Sequence, residues 1–564
     1  MPCRIAFLAS LLALPFHFSS ASAQWQTNGN PVCTATGGQS LWNAVPTSTG
    51  GVIVEWADYR SDVDYADLYL QILDANGTPQ LAANGVPLCI APYSQQNVSI
   101  ASDGSGGAFA AWCDWRTDYP APISTCEIYA QHVDASGNML WAANGIPICD
   151  AVRVQDSPRV ISDGAGGAII AWNDQRASFG HDRVYMQRVD ASGNPLWTVN
   201  GIKIATFSGD SNITSMISDG AHGAVASWVT GLSSYAIRID ASGVQQWTTT
   251  GVPICLSTAG DPQLVEDDAG GYIAAWMDHR SGAPGVYIQH LNASGAAQWT
   301  ANGIMAMHQG PFGSIISDGS GGVIIGISPY VDFYGWDHDI YLQHVDSSGN
   351  WLWGEWGVLA SPTVGDQSVA KLVPDGEGGA IVTWYDDVLQ NDPNYGANTD
   401  LYAQRVDANG TLLWPASGVV VSTAPGRQAG WALPVGSGQA VVVFADSRND
   451  PAMDIYAMKI GVSATAVPQG GTPSFVVSEA RPNPFSDATS LDVTLSSPGS
   501  VQVQVYDVAG RRVSTERYAS LSAGMHSLRV MSMHPDGKRL TSGVYFARVS
   551  VGHRTITRKL VIAR

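Results

Sequence analysis

Short runs of alternating apolar and polar residues fill most of this chain, and the runs repeat. "SPRVISD", "GGAIIAWND", "VYMQRVD" and "LWTVNGIKI" follow one another between residues 157 and 204, separated by Gly, Asn or Asp. Alternation with period two over such lengths predicts β-strands. The separators "SDGAGG" and "DASGN" are tight-turn sequences, because Gly and Asn tolerate positive φ. The predicted unit is an antiparallel meander of four strands.

The unit recurs. Its second strand appears eight times, with the aromatic position at Trp56, Trp112, Trp172, Trp228, Trp276, Ile327, Trp384 and Phe444, spaced 48 to 60 residues apart. The third strand follows each copy, as in "DLYLQILDANG", "EIYAQHVDASG" and "DLYAQRVDANG". Four-stranded units at this period are what β-propeller blades look like in sequence. "QWQTNGNPVC" near the start reads as a fourth strand with no first three, and "DIYAMKI" ends the last repeat as a third strand with no fourth. The expectation is therefore an all-β chain with an eight-bladed β-propeller over residues 24–461, the N-terminal strand closing the last blade. A solenoid would need capping repeats, whereas these ends are complementary.

Strand order assigns two faces. The turns "SDGAGG" and "DASGN" share one face and hardly vary between copies. The loops after "WxDxR" and after "PIC" share the other and vary widely, the richest being "YRSDVDYAD", "WRTDYPAPISTCE", "SPYVDFYGWDHD" and "YDDVLQNDPNYGANTD". Variable loops on a rigid scaffold are the usual place for binding.

The two ends of the chain differ from the repeats. Residues 1–23 read as a secretory signal, with Arg4, the apolar run "IAFLASLLALPF" and the small-residue site "ASA". No other stretch is long and apolar enough to be read as a transmembrane segment. Residues 462–474 form an uncharged linker, and 475–564 read as a small β-sandwich of short alternating strands. Within that tail stand "RPNPF" at Arg481–Phe485, "VYDVAGRRV" at Val505–Val513, "AGMHSLRV" at Ala523–Val530 and "SGVYFARV" at Ser542–Val549, and a basic "RKLVIAR" closes the chain. As an ordered set at the C-terminus these motifs resemble the C-terminal sorting domain (type A) of type IX secretion cargo. The matching positions include Pro482, Asn483, Pro484, Phe485, Gly510, Gly543, Tyr545 and Lys559. The resemblance implies an Ig-like sandwich, the type IX secretion machinery as partner, and export to the surface of a bacterium. The Ig-like domain of flagellar hook-capping proteins shares the strand pattern and the "VYD..G" turn, and stands as the alternative.

Charge divides the chain in the same way. The whole carries −20, yet residues 474–564 hold twelve Lys and Arg against six Asp and Glu, net +6, and Arg4 adds +1, which leaves the repeats at −27. Such an acidic domain repels nucleic acid and anionic lipid and favours cations or basic partners.

Candidate chemistry is sparse. The pairs Asp58/Arg60, Asp114/Arg116, Asp174/Arg176, Asp278/Arg280 and Asp446/Arg448 occur five times, which argues for structural ion pairs, with the Arg bridging to the acid that opens the next strand (Asp67, Glu127, Asp182, Asp454) across the loop base. Cys33, Cys89, Cys149 and Cys255 sit at one place in the repeat and read as buried core residues. Cys113 and Cys126 flank a single loop and suit a disulfide. "VDASGNPLW" is similar to the Asp-box of sialidase-type propellers, with one residue more between its ends. Sialidase catalysis needs a Tyr–Glu pair and three Arg, and only Glu55, Glu127, Glu266, Glu355 and Glu377 are available in the repeats. The candidate binding residues are Tyr334, Trp336, Asp337 and Asp339 on one loop and Asp386, Asp387 and Asp392, with Asp400, on another. Clustered carboxylates at mixed spacing suit Ca²⁺, although no EF-hand or RTX-type pattern accompanies them. Three readings stay open: a non-enzymatic module that binds a glycan, protein or peptide through the variable loops, a glycan-cleaving hydrolase or lyase with its site at the propeller axis, and a purely structural surface-layer component.

Overall fold

The computed structural model describes residues 25–563 except 118–124, 178–179, 205–208, 258–259, 281–284, 309, 330–337, 362–365, 388–397, 450–451, 462–474, 478–479, 496–498, 508–510, 523, 535–537 and 552–553. The chain divides into two compact units, Met1–Ser463 and Ala464–Arg564.

Among the described residues the first unit contains eight four-stranded antiparallel sheets. They are numbered one to eight here by their first strands, Gln39–Pro46, Gln95–Ser102, Gln155–Ser162, Asn212–Ser218, Gln263–Glu266, Phe312–Ser317, Asp366–Pro374 and Gln428–Gly436. Sheet three is typical. Gln155–Ser162 pairs with Ala168–Asp174, that strand with Arg183–Val189, and that one with Ile202–Lys203. In sheet eight the place of the fourth strand is taken by Asn30–Cys33, which pairs with Asp454–Ile460. The start and end of the repeat region are thereby stitched into one ladder. First strands of consecutive sheets lie against one another, and that of sheet eight lies against that of sheet one.

The core sits between neighbouring sheets. Val52, Val54 and Trp56 of sheet one meet Val441, Val443 and Ile455 of sheet eight, while Ile53 and Ala57 on the opposite face meet Ala110 and Trp112 of sheet two. A second strand such as Ala168–Asp174 is buried along its whole length. Covering both faces removes the need for polar residues, so "AIIAW" reads as a continuous apolar run rather than an alternating one.

Local chemistry explains the recurring turns. In "SDGAGG", Asp163 Oδ1 accepts the N–H groups of Ala165 and Gly167 at 2.8 Å each, and its Oδ2 accepts a bond from Arg188 of the third strand at 2.9 Å. Gly166 has φ 89°, and a Cβ on Gly167 would stand 2.1 Å from the Val189 carbonyl oxygen. The first glycine suits the positive backbone angle, which His222 adopts at φ 67° in sheet four, and the next is required for close approach.

The predicted fourth strand "LWTVNGIKI" is mostly not a strand. Only Ile202–Lys203 joins the ladder, because Asn200 and Gly201 take φ 63° and 81°. Two of its backbone groups are satisfied instead by a side chain: Gln187 accepts from Trp197 N–H at 3.1 Å and donates to the Thr198 carbonyl at 2.8 Å. Gln71, Gln131, Gln289, Gln343 and Gln404 donate to the corresponding carbonyls in their own sheets.

The second unit has a three-stranded sheet (Phe475–Val477, Ala488–Leu495, Gly524–Met531) and a four-stranded sheet ordered Arg512–Leu521, Gly499–Asp507, Gly543–Val551, Arg554–Ile562. Both contribute to one apolar core that includes Leu491, Val493, Val503, Ala547 and Val549.

Candidate functional site

The loop-bearing end of the sheets is framed by the repeated Asp and Arg. Asp174 is fully buried and accepts five bonds: from Trp172 Nε1 at 2.8 Å, Arg176 N at 2.8 Å, Arg176 Nε at 2.9 Å, Arg176 Nη2 at 2.6 Å and, across the sheets, the Cys149 thiol at 3.8 Å. The same pairing joins Asp58 to Arg60, Asp114 to Arg116, Asp278 to Arg280 and Asp446 to Arg448. Each guanidinium also lies 3.8–4.2 Å above a Tyr ring of the next strand: Tyr69, Tyr129, Tyr185, Tyr287 or Tyr456.

These pairs do more than close a loop base. Arg176 Nη2 donates to the sulfur of Cys149, 3.0 Å away on the outer strand of sheet two. Arg60 reaches Cys33 of sheet eight, Arg116 reaches Cys89 of sheet one, Arg280 reaches Cys255 of sheet four, and Arg448 reaches the Ser422 hydroxyl of sheet seven. A second link runs alongside. Asn200 Oδ1 accepts the N–H of Asp150, the residue after that cysteine, at 3.1 Å, and the Asn200 carbonyl accepts from Arg176 at 2.8 Å. The Asp–Arg pair is therefore the centre of a latch between adjacent sheets. Of the acids that open the next strand, Glu127 accepts from the Thr117 hydroxyl at 3.0 Å.

The cysteines belong to the latch as well as to the core. Burial pushes the Cys33 thiol up to about 11 and those of Cys89 and Cys149 to about 12. A signal for this role is present in the sequence: Cys33, Cys89, Cys149 and Cys255 each precede a repeat that has the Arg. Ala205 and Met307 precede repeats with Leu232 and Val331 in its place. Where the Arg is missing and the Trp remains, in sheets four and seven, the buried Nε1 groups of Trp228 and Trp384 have no hydrogen-bond partner. Cys113 and Cys126 are joined as a disulfide, with Cα atoms 5.7 Å apart.

Of the candidate binding residues, Tyr334, Trp336, Asp337 and Asp392 lie outside the described residues, as does Gly510 of the tail. Asp386 and Asp387 are buried at the end of the strand Ala380–Asp387, and Asp386 pairs with Asp400, which opens the strand Asp400–Val406, so these three are ladder residues brought together at the loop base. Asp339 adjoins His338, whose Nδ1 lies 2.5 Å from Asp366 Oδ1. No group of three or more His, Cys, Asp or Glu among the described residues could hold a metal ion.

Sequence patterns gave no warning of two other features. Glu55 is fully buried on the second strand of sheet one, and neither carboxylate oxygen has a partner, so burial holds its pKa well above the usual range. On the first strands, the residue before the paired position of Val54, Ala110, Ile170, Ala226, Ala274, Ile325, Val382 or Val442 is Asn43, Ser99, Arg159, Ser215, Gln263, Ser314, Lys371 or Trp431. The hydroxyls of Ser99, Ser215 and Ser314 accept N–H groups from the following sheet, while burial lowers the pKa of Arg159 and of Lys371.

In the second unit the "NPF" motif is docked onto the last strand. Asn483 donates to the Lys559 carbonyl at 2.8 Å and accepts from Val561 N–H at 2.7 Å, and Phe485 exchanges backbone bonds with Val561 and Ala563. Phe485 and Tyr545 are buried, and the Tyr545 hydroxyl donates to the Thr541 carbonyl at 3.0 Å. Gly543 begins the strand Gly543–Val551, and Lys559 is exposed.

No curated protein sequence matches the chain. Among solved structures, a puromycin hydrolase variant is similar at 13% identity and TM-score 0.39, over 84% of this chain and 62% of that one. Prolyl oligopeptidase B from Galerina marginata is similar at 11% identity and TM-score 0.41, over 73% and 56%. The chain thus spans less than two thirds of either enzyme's length. PorZ, a bacterial surface component of the type IX secretion system of Porphyromonas gingivalis, is similar at 12% identity and TM-score 0.24, over 94% and 82%. Residues 480–563 match the family described as secretion system C-terminal sorting domain. The last part of this all-β chain is therefore a type IX C-terminal sorting domain, which marks the protein for secretion to, or attachment at, the bacterial cell surface.

Proposed function

We propose that the protein is a surface-delivered binding module without catalytic activity, in which an eight-bladed β-propeller over residues 24–461 presents variable loops to a glycan, protein or peptide. In this reading residues 1–23 are a cleaved signal, 462–474 a linker, and 475–564 an Ig-like sandwich. Ring closure is supported by the pairing of Asn30–Cys33 with Asp454–Ile460 and by the contact between the first strands of sheets one and eight.

The observation that carries the binding reading is the asymmetry between the two ends of the sheets. At the turn end, the Asp that follows the first strand bonds to its own loop and to a His or Arg of the third strand in sheets two to seven. That end is occupied by its own hydrogen bonds. At the other end the latches hold only the loop bases, and the loops between them differ from sheet to sheet in length and residue type. The first-strand row from Asn43 to Trp431 contains no carboxylate, which favours binding over an acid–base pair at the axis.

The test is a binding screen of the mature protein on glycan and peptide arrays, repeated with residues 330–337 and 388–397 replaced by Gly-Ser turns. Binding that disappears with the loops, at unchanged thermal stability, supports the reading. Turnover of a polysaccharide or peptide that a single first-strand substitution abolishes would replace it with the enzyme reading.

A further inference from the structure

Sheet six departs from the latch pattern in one specific way. At the position held by Asn28, Asn84, Asn144, Asn200 and Asn302, each with φ of 63–64°, it carries Trp356. The neighbouring residue that such an Asn would cap, the one after the cysteine position of the preceding sheet, is His308. Instead of a hydrogen bond, the two make ring contact, with centroids 5.2 Å apart. On the other side of His308, Trp351 meets the imidazole edge-on at 5.1 Å, with Trp351 Nε1 bonded to the Met305 carbonyl at 3.1 Å. Glu355 lies beside them, its Oε1 4.0 Å from His308 Nε2.

The cluster is exposed and pre-shaped. Trp356 is 65% accessible, the only Trp among the exposed large apolar residues of the described chain. The segment that carries it is anchored on both flanks: Gln343 accepts from Trp353 N–H at 3.2 Å and donates to the Gly354 carbonyl at 2.6 Å, and Gly357 packs against the Leu342 carbonyl. Leaving an indole in water forgoes the stabilisation that burying it would give. Sheet six has also given up the Trp, Asp and Arg of the other latches, carrying Ile327, Pro329 and Val331 in their places.

We infer that Trp356, His308, Glu355 and Trp351 form a carbohydrate subsite for a neutral sugar. An exposed indole offers a flat face to the C–H side of a pyranose ring, and the imidazole and carboxylate next to it offer a donor and acceptors for its hydroxyls. The charge decides between sugar classes. A repeat region at −27, with Glu355 in the cluster itself, repels uronic-acid and sulfated chains and leaves uncharged ones unopposed. This narrows the binding reading above to one ligand class and moves it to a place on the rim between sheets five and six.

The experiment titrates the mature protein with cellohexaose, xylohexaose, mannohexaose and laminarihexaose, with an oligogalacturonate and an unrelated peptide as the other arms, by calorimetry and tryptophan fluorescence. Trp356→Asn is the test variant, because it restores the residue that five other sheets carry and so keeps the fold. The expected result is binding of at least one neutral hexasaccharide with a shift in tryptophan emission. Trp356→Asn should weaken that binding by roughly tenfold or more at an unchanged or higher Tm, and His308→Ala should weaken it less. Three results overturn the assignment: no neutral hexasaccharide binds, only the oligogalacturonate or the peptide binds, or Trp356→Asn binds sugar as well as the native protein. In the last case sugar binding through the loops survives and only this subsite is rejected.

Discussion

Asp174→Asn keeps the volume of the latch and removes its charge, and the cost can be worked from the bonds it breaks. The carboxylate accepts from Trp172, from the backbone of Arg176, and twice from the Arg176 guanidinium, all within 2.9 Å. An amide has one acceptor oxygen and points a donor at the remaining donors. At least one of the Trp N–H and the guanidinium is then left facing an N–H group. Removing one partner of a buried pair costs about 3–5 kcal/mol. The Arg176 side chain is 20% exposed and keeps its stack on Tyr185 and its bond to the Asn200 carbonyl, so about 3 kcal/mol is expected. Because the Arg also reaches Cys149, the loss should spread into the preceding sheet. A chain of repeated sheets need not unfold in one step, so the measurement is native-state hydrogen exchange resolved by peptide. Amides of Ile146–Cys149 in sheet two and of Arg183–Val189 in sheet three should both lose protection. A double variant with Arg176→Met should cost less than the sum of the single changes, by more than about 1 kcal/mol. A loss below about 0.5 kcal/mol, or one confined to sheet three with Ile146–Cys149 unchanged, would refute the latch between sheets and leave only a loop clasp.

Glu55→Gln should stabilise the protein increasingly as pH rises. The folded pKa stands above the unfolded one, so the folded state keeps a proton that the unfolded chain releases, and native stability falls by about 1.4 kcal/mol per pH unit between the two values. Urea midpoints at pH 5 and pH 8 measure this, and a gain that is equal at both would contradict the partnerless carboxyl. Iodoacetamide at pH 8 should leave Cys33, Cys89, Cys149 and Cys255 unlabelled in the native protein and label all four in denaturant, since each is buried with its thiol pKa raised. Rapid native labelling of any one would remove it from the latch. Asn483→Ala deletes both bonds to the last strand, at a cost of about 1–2 kcal/mol to the sorting domain, and should speed hydrogen exchange at Val561 and reduce surface delivery. Unchanged exchange at Val561 would show that the motif is not held there.

Much of the architecture was legible before the structure. Period-two runs, "SDG" and "DASG" turns and the complementary ends place the strands and turns, because backbone angle and amphipathic period are local properties of the residues that carry them. The least legible strand was the fourth: "LWTVNGIKI" alternates well enough, but Gln187, ten residues away, supplies the hydrogen bonds that a neighbouring strand would have supplied. Asp386 and Asp387 looked like loop acids because "YDDVLQND" is rich in Asp and Asn, whereas the ladder continues to Asp387.

The sequence by itself determined the number of repeats, the turn chemistry and the sorting tail, since each rests on residues close together in the chain. Tertiary structure decided who meets whom. Asp174 and Arg176 announce themselves as a pair, but that they clasp Cys149 depends on which faces of two sheets come together. Glu55 and Trp356 make the same point from opposite sides. One is a charge-bearing residue sealed between sheets, the other an indole left on the rim, and no local period distinguishes either from its counterparts in the other repeats. Burial is a property of the packed interface, so only the assembled sheets reveal where the repeat was given up and a surface left open in its place.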